Sequence, residues 1–130
     1  MWLAVLIVAS TLVVYSPARG NGFATHDDPI YVTANPEVRG GLTLDGVKWA
    51  FTTTRDGNWF PLTWLSHMAD VQAFGLQSGR HHLVNVAIHA LNALLLFVFL
   101  RAATGARWPS SLVALLFALH PVHVESVAWA

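Results

Sequence analysis

The chain has 130 residues, 55% of them hydrophobic and only 11% charged, with seven Lys or Arg balanced by seven Asp or Glu. Soluble domains carry about 25% charged residues, so this composition favours the membrane class. The zero net charge, without any basic run, excludes an electrostatic nucleic-acid footprint. Cysteine is absent, which rules out disulfides, thiolate metal sites and thiol catalysis.

Trp2 to Tyr15 is almost unbroken apolar sequence. It is short for a full span, which takes about 20 residues, and no Lys or Arg precedes it as in a signal peptide. We assign residues 1–16 to a first transmembrane helix, truncated or short at its N-terminus.

Residues 17–80 form a long polar loop holding six of the seven acids and five of the seven Lys and Arg. Gly20-Asn21-Gly22 and Asn35-Pro36 punctuate it as turns. The stretch from Ala24 to Tyr31 contains Asp27-Asp28, the only adjacent pair of carboxylates in the chain. Neighbouring carboxylates disfavour each other's ionised form, so the pair suits acid/base work or cation binding. Asp-Asp-Pro is also good chemistry for a plain solvated turn.

Two short amphipathic helices are expected in this loop. The first covers Thr43 to Thr53, with Leu44, Val47 and Phe51 at helical spacing. The second begins at Pro61, a residue suited to the first helical turn, shows Leu62, Leu65 and Ala69 on one face, and ends near Gly75. With Trp59, Phe60 and Trp64 nearby, both read as interfacial elements lying against the membrane, the alternative being a small soluble helical subdomain.

Residues 82–100 reach about 28 Å as a helix, close to the hydrocarbon thickness, within a second span placed at 81–100. His82, Asn85, His89 and Asn92 fall within an arc of about 80° at 100° per residue. Polar groups at membrane depth are costly unless they face protein or water, so this face should look into a bundle or cavity. Residues 101–109 carry two arginines and no acid, a cytoplasmic connection by the positive-inside rule. Residues 110–130 start a third span and lead into His120-Pro121-Val122-His123-Val124-Glu125. On this topology every acid lies on the outer side. His120, His123 and Glu125 are metal-ligand types, but a closed site needs three or four ligands. The chain ends at Ala130 without a charged flank, which reads as a fragment of a longer protein. No Gly-rich phosphate loop, Gly-x-Ser-x-Gly elbow or His-Glu-x-x-His motif is present.

Five stretches carry a family resemblance: residues 27–36 from Asp27-Asp28-Pro29; Val47-Lys48-Trp49-Ala50-Phe51-Thr52; residues 58–68, including Trp59-Phe60-Pro61-Leu62-Thr63-Trp64; His81-His82-Leu83-Val84-Asn85; and residues 117–129 around His120-Pro121-Val122-His123-Val124-Glu125. In this order they resemble the N-terminal membrane part of the transmembrane and tetratricopeptide-repeat O-mannosyltransferase family, in its bacterial branch. The resemblance implies an all-α polytopic membrane domain of GT-C type with a long first outer loop. It implies transfer of a mannose-like sugar from a polyprenyl-phosphate donor to protein Ser/Thr hydroxyls on the non-cytoplasmic face, at a bacterial inner membrane. It carries the base onto Asp27 or Asp28, and a second-outer-loop contribution onto His120, His123 and Glu125. Arg80, His81, His82 and Asn85, at the outer start of the second span, are suited to the donor phosphate, since positive groups and a helix N-terminus favour an anion. The partners implied are the lipid-linked sugar, a protein acceptor and the bilayer, with no nucleic acid. A divalent cation is compatible with these residues but is not required by them. Two other readings stand beside this one: a non-catalytic membrane anchor for a repeat domain, and an outward-facing metal-binding module built on His120, His123, Glu125 and His89.

Overall fold

The computed structural model describes residues 2–25 and 27–128, apart from the side chain of Asp56. His26 and Trp129, which belong to two of the motifs above, lie outside the described residues. All regular structure among the described residues is helical. It falls into two compact units, one drawn from residues 2–21 and 82–128, the other from residues 22–81.

The first unit contains α1 (Trp2–Tyr15), which continues into a 3-10 turn at Ser16–Gly20. It also contains most of α5 (Ser78–Thr104), and then α6 (Arg107–Leu119) and α7 (Val124–Ala128). The stretch Trp2–Gly20 and α5 are each long and apolar enough to cross a bilayer. So is the pair made by α6 and the segment Pro121–Ala128, bent by 45° at His120. The 27 residues of α5 extend for about 40 Å, longer than a hydrocarbon core of about 30 Å. The helix therefore runs past the expected span at both ends. It stops only at Gly105, whose φ of 70° suits a residue without Cβ.

α1 buries Leu3, Ile7, Thr11 and Tyr15 at four-residue intervals, one stripe of a helix that is otherwise apolar all round. Leu3 and Ile7 meet Ala93, Phe97, Ala114 and Ala118 in one cluster. The three alanines are small enough to let helices approach closely, as membrane packing requires. Trp2 meets Trp108 edge to face at 5.2 Å, while Tyr15 packs with Val86 and Val127. α1 and α6 therefore run in the same direction. Hydroxyls within these helices return to helix carbonyls: Thr11 to Ile7 at 2.8 Å, Ser110 to Ala106 at 2.7 Å, and Ser111 to Trp108 at 2.8 Å.

The second unit contains α2 (Pro36–Arg39), α3 (Leu44–Thr52) and α4 (Pro61–Phe74). Capping explains where they begin. The Asn35 carboxamide oxygen accepts from Glu37 N–H at 3.2 Å, and its Nδ2 donates to Ile30 O at 3.2 Å. Thr43 Oγ1 accepts from Gly46 N–H at 3.0 Å. The core is Val38, Ala50, Trp64 and Met68. Trp64 is wholly buried, with the rings of Trp49, Tyr31 and Phe60 at 5.0, 5.3 and 5.3 Å. A Cβ at Gly46 would come within 3.0 Å of Thr43 Oγ1 and 3.4 Å of Met68 Sδ, so a side chain there would crowd both the cap of α3 and its contact with α4.

The buried faces differ from those expected. On α4 the inward residues are Pro61, Trp64, His67, Met68 and Asp70, and Leu62 is 74% exposed. On α3 they are Gly46 and Ala50, while Leu44 is 83% and Phe51 49% exposed. The large indole of Trp64 offers more apolar area than any leucine on its helix, and α3 turns its small residues toward it. Leu44, Phe51, Trp59 and Leu62 are left as an exposed apolar set.

If Trp64 is the centre of this unit, Trp64→Ala lowers its stability by about 3–5 kcal/mol. Leu62→Ala changes it by no more than about 0.5 kcal/mol. Thermal unfolding followed by circular dichroism of both variants in lipid nanodiscs checks the pair.

Candidate functional site

The acidic pair sits in the second unit, just ahead of a single π-helical turn at Pro29–Thr33. Asp28 is 1% exposed, and its Oδ2 accepts from the Ala24 N–H in a short hydrogen bond. This bond closes the loop across its tip. The Asp27 carbonyl accepts from Ile30 N–H at 2.8 Å and Tyr31 N–H at 3.1 Å, while the residue itself is half-buried. The two carboxylates therefore have different settings. Asp28 is turned inward and shapes the loop; Asp27 holds the turn through its backbone and remains partly open to solvent.

Arg80 is exposed, with its guanidinium carbon 5.3 Å from the Phe74 ring centre. His81 is 1% exposed. Its Nε2 lies 2.8 Å from Gly75 O, and its ring meets Phe23 edge-on at 5.4 Å. His82, in the first unit, is also buried, and Asn85 is half-buried.

A cluster absent from the expectations lies around His81. His67 and Asp70 share one face of α4 at i, i+3, and each of His67, Asp70 and His81 presents a ligand atom within 4.8 Å of the other two. All three residues are buried. His81 Nδ1 and Asp70 Oδ2 are 3.9 Å apart. Burial, with a smaller contribution from His81, pushes the His67 imidazole down to about 4. Burial also raises the Asp70 carboxyl, against the opposing influence of His81. The signal available in the sequence was His67-x-x-Asp70 on a helix followed by a histidine just past a glycine turn. Its meaning depends on a tertiary contact.

In the first unit, Asn85, His89 and Asn92 line a cavity of about 240 Å³ with Phe117, His123 and Ser126. Three members of the polar stripe thus share one opening, although Asn92 itself is exposed. His89 Nε2 is 2.9 Å from Ala118 O, and its ring lies 5.3 Å from Tyr15 and 5.4 Å from His123. His120, His123 and Glu125 are not gathered into a metal-like cluster; among the described residues only His67, Asp70 and His81 are. The reason is local. Pro121 forces His120 out of the helix to an extended ψ of 130°. The His120 Nδ1 then caps the next turn, accepting from Val122 N–H at 3.2 Å. Glu125 remains exposed on α7.

Helices of this length and composition make the chain an integral membrane protein, all-helical among its described residues. It is similar to the protein O-mannosyl-transferase Tmtc1 of Drosophila melanogaster, 32% identical over 92% of this chain and 15% of the relative. The mouse protein O-mannosyl-transferase TMTC1 is 31% identical over 96% of this chain and 14% of the relative. The Drosophila protein O-mannosyl-transferase Tmtc2 is 31% identical over 89% and 13%. The chain is a homologue of the TMTC1 and TMTC2 protein O-mannosyl-transferases and spans about one-seventh of the length of these curated relatives. These relatives are animal proteins and carry the family without its bacterial branch. No family model and no solved structure matches the chain.

The His89–Ala118 hydrogen bond, itself buried, joins α5 to the end of α6. Replacing His89 by Phe leaves the ring stacking but orphans the Ala118 carbonyl. We expect a loss of about 1–3 kcal/mol, read as a lower unfolding midpoint in nanodiscs.

Proposed function

We propose that the chain carries the acceptor-activating part of an integral-membrane glycosyltransferase. The enzyme moves a mannose-like sugar from a polyprenyl-phosphate donor to protein Ser/Thr hydroxyls on the non-cytoplasmic face. The observation that carries this reading is the likeness to protein O-mannosyl-transferases over almost the whole chain, together with an ordered loop presenting Asp27 beside the buried Asp28.

In this reading Asp27 is the general base. Its carboxylate takes the proton of the acceptor hydroxyl as the oxygen attacks the anomeric carbon of the donor. The bond from that carbon to the phosphate oxygen breaks, and the electron pair leaves with the polyprenyl phosphate. Asp28 positions the loop through the Ala24 N–H. Arg80 offers the leaving phosphate a planar guanidinium whose fork of donors matches phosphate oxygens. The ring of His81 is engaged with Gly75; His82 and Asn85, on the following turns of α5, are the further polar groups assigned to the phosphate in this reading. The cavity beside His89 and His123, with His120 and Glu125 on the following segment, contributes the second outer loop. A positioned base and a preorganised positive partner are what such a transfer requires of the protein.

The second unit and the segment after His120 belong on the outer side, and the arginine-bearing turn at residues 101–107 on the cytoplasmic side. In a bacterial host this is the inner membrane with a periplasmic loop. The exposed Leu44, Phe51, Trp59 and Leu62 suit contact with the lipid surface, where a polyprenyl donor is drawn from the bilayer.

Asp27→Asn and Asp28→Asn in the full-length protein test the assignment. Removing a general base costs about 10²–10⁴ in rate. Asp27→Asn should lose sugar transfer to a peptide acceptor by that factor and keep the wild-type unfolding midpoint. Asp28→Asn should lower both. Transfer at the wild-type rate in both variants would leave the chain a membrane anchor for a repeat domain.

A further inference from the structure

His81 is held by the chain in a way that fixes where its lone pair points. Gly75 O can only accept a hydrogen bond, so Nε2, 2.8 Å away, carries the proton. In the neutral ring Nδ1 is then a bare acceptor, and it faces Asp70 Oδ2 at 3.9 Å. That is too long for a hydrogen bond. His67 Nδ1 is also buried, and neither it nor His81 Nδ1 has a hydrogen-bond partner. Three buried residues thus bring ligand atoms within 4.8 Å of one another, among them the bare His81 nitrogen and a carboxylate oxygen, an arrangement that is costly unless something positive lies between them.

We propose that His67, Asp70 and His81 bind a zinc-class divalent cation, which clips α4 to the first turn of α5. Two imidazoles and a carboxylate are a transition-metal donor set; magnesium and calcium prefer oxygen throughout. Bonds of about 2.0–2.1 Å in tetrahedral geometry put ligand atoms about 3.3 Å apart. The 3.9 Å separation of His81 Nδ1 and Asp70 Oδ2 closes to that with a shift of roughly half an ångström. The Gly75 carbonyl on the far nitrogen of His81 is the backbone partner that metal-bound imidazoles commonly have, since it fixes the tautomer and the ring orientation. Three protein ligands leave a fourth position for water. Phe23 packs edge-on against His81, one residue before the Ala24 N–H that holds Asp28. The cation therefore also buttresses the acidic loop. This assignment does not depend on the glycosyltransferase reading.

The test uses the purified chain in nanodiscs, stripped with a chelator and titrated with zinc chloride. We expect one zinc per chain by elemental analysis and a rise in the unfolding midpoint that magnesium does not reproduce. Asp70→Asn and His81→Gln should each weaken zinc binding at least tenfold, whereas His120→Gln should not. Absence of stoichiometric zinc in the wild type overturns the proposal and leaves a buried histidine–aspartate pair. Unchanged zinc affinity in the two variants overturns it as well. If either variant fails to fold, cobalt substitution in the wild type decides. The intense visible bands of a four- or five-coordinate site support the cluster, and the weak spectrum of a six-coordinate aquo ion contradicts it.

Discussion

A bilayer core supplies no hydrogen-bond partners, so any polar atom carried into it must be paired within the protein. The first unit is organised by that requirement. His89, at membrane depth on α5, meets the Ala118 carbonyl at 2.9 Å, where Pro121 leaves the end of α6 without a continuing helix. Thr11, Ser110 and Ser111 return their hydroxyls to their own helices. With these groups satisfied, the helices are free to pack through small residues, and Ala93, Ala114 and Ala118 provide the close surface on which Leu3, Ile7 and Phe97 sit. The same requirement makes the polar cavity lined by Asn85, His89 and His123 notable. Those polar side chains line an opening instead of packing into the apolar cluster of the unit.

The second unit follows different rules. It is built like a small water-soluble subdomain, with side-chain helix caps at Asn35 and Thr43 and one aromatic centre at Trp64. Its sequence adds apolar side chains that this core does not use. Leu44, Phe51, Trp59 and Leu62 stay outside, which fits an element resting on a lipid surface. Burial of Asp28 and its bond to Ala24 show that the loop is shaped, not merely solvated. The two members of the pair, equivalent by sequence, are divided into one that shapes and one that is open.

Much of this was legible from the residues. Thr43, Pro61 and Gly75 mark helix ends by local chemistry, and helices begin or end there. The apolar runs indicate long apolar helices, and helices long and apolar enough to cross a bilayer form there. The motifs gave the family through a pattern of many residues, none decisive alone. Which face of each loop helix is buried was not legible, because leucine spacing cannot reveal that a tryptophan on the same helix gathers three other rings. The extent of α5 was missed because Ser78 and Arg101 to Thr104 look like loop by polarity, yet nothing before Gly105 ends the helix. The His67, Asp70 and His81 cluster was missed because its third member arrives across a turn.

We propose that the loop carrying Asp27 and the turn at residues 101–107 face opposite sides of a bilayer. The chain has no cysteine, so one introduced thiol reports its own side without background. Arg39, outside the apolar set of the loop unit, and Ala103 are both exposed. Labelling of Arg39→Cys and Ala103→Cys with a membrane-impermeant maleimide is the most direct measurement. Arg39→Cys should react from outside intact cells, and Ala103→Cys only after permeabilisation. Equal reaction of both from one side, or the reverse pattern, would contradict that placement.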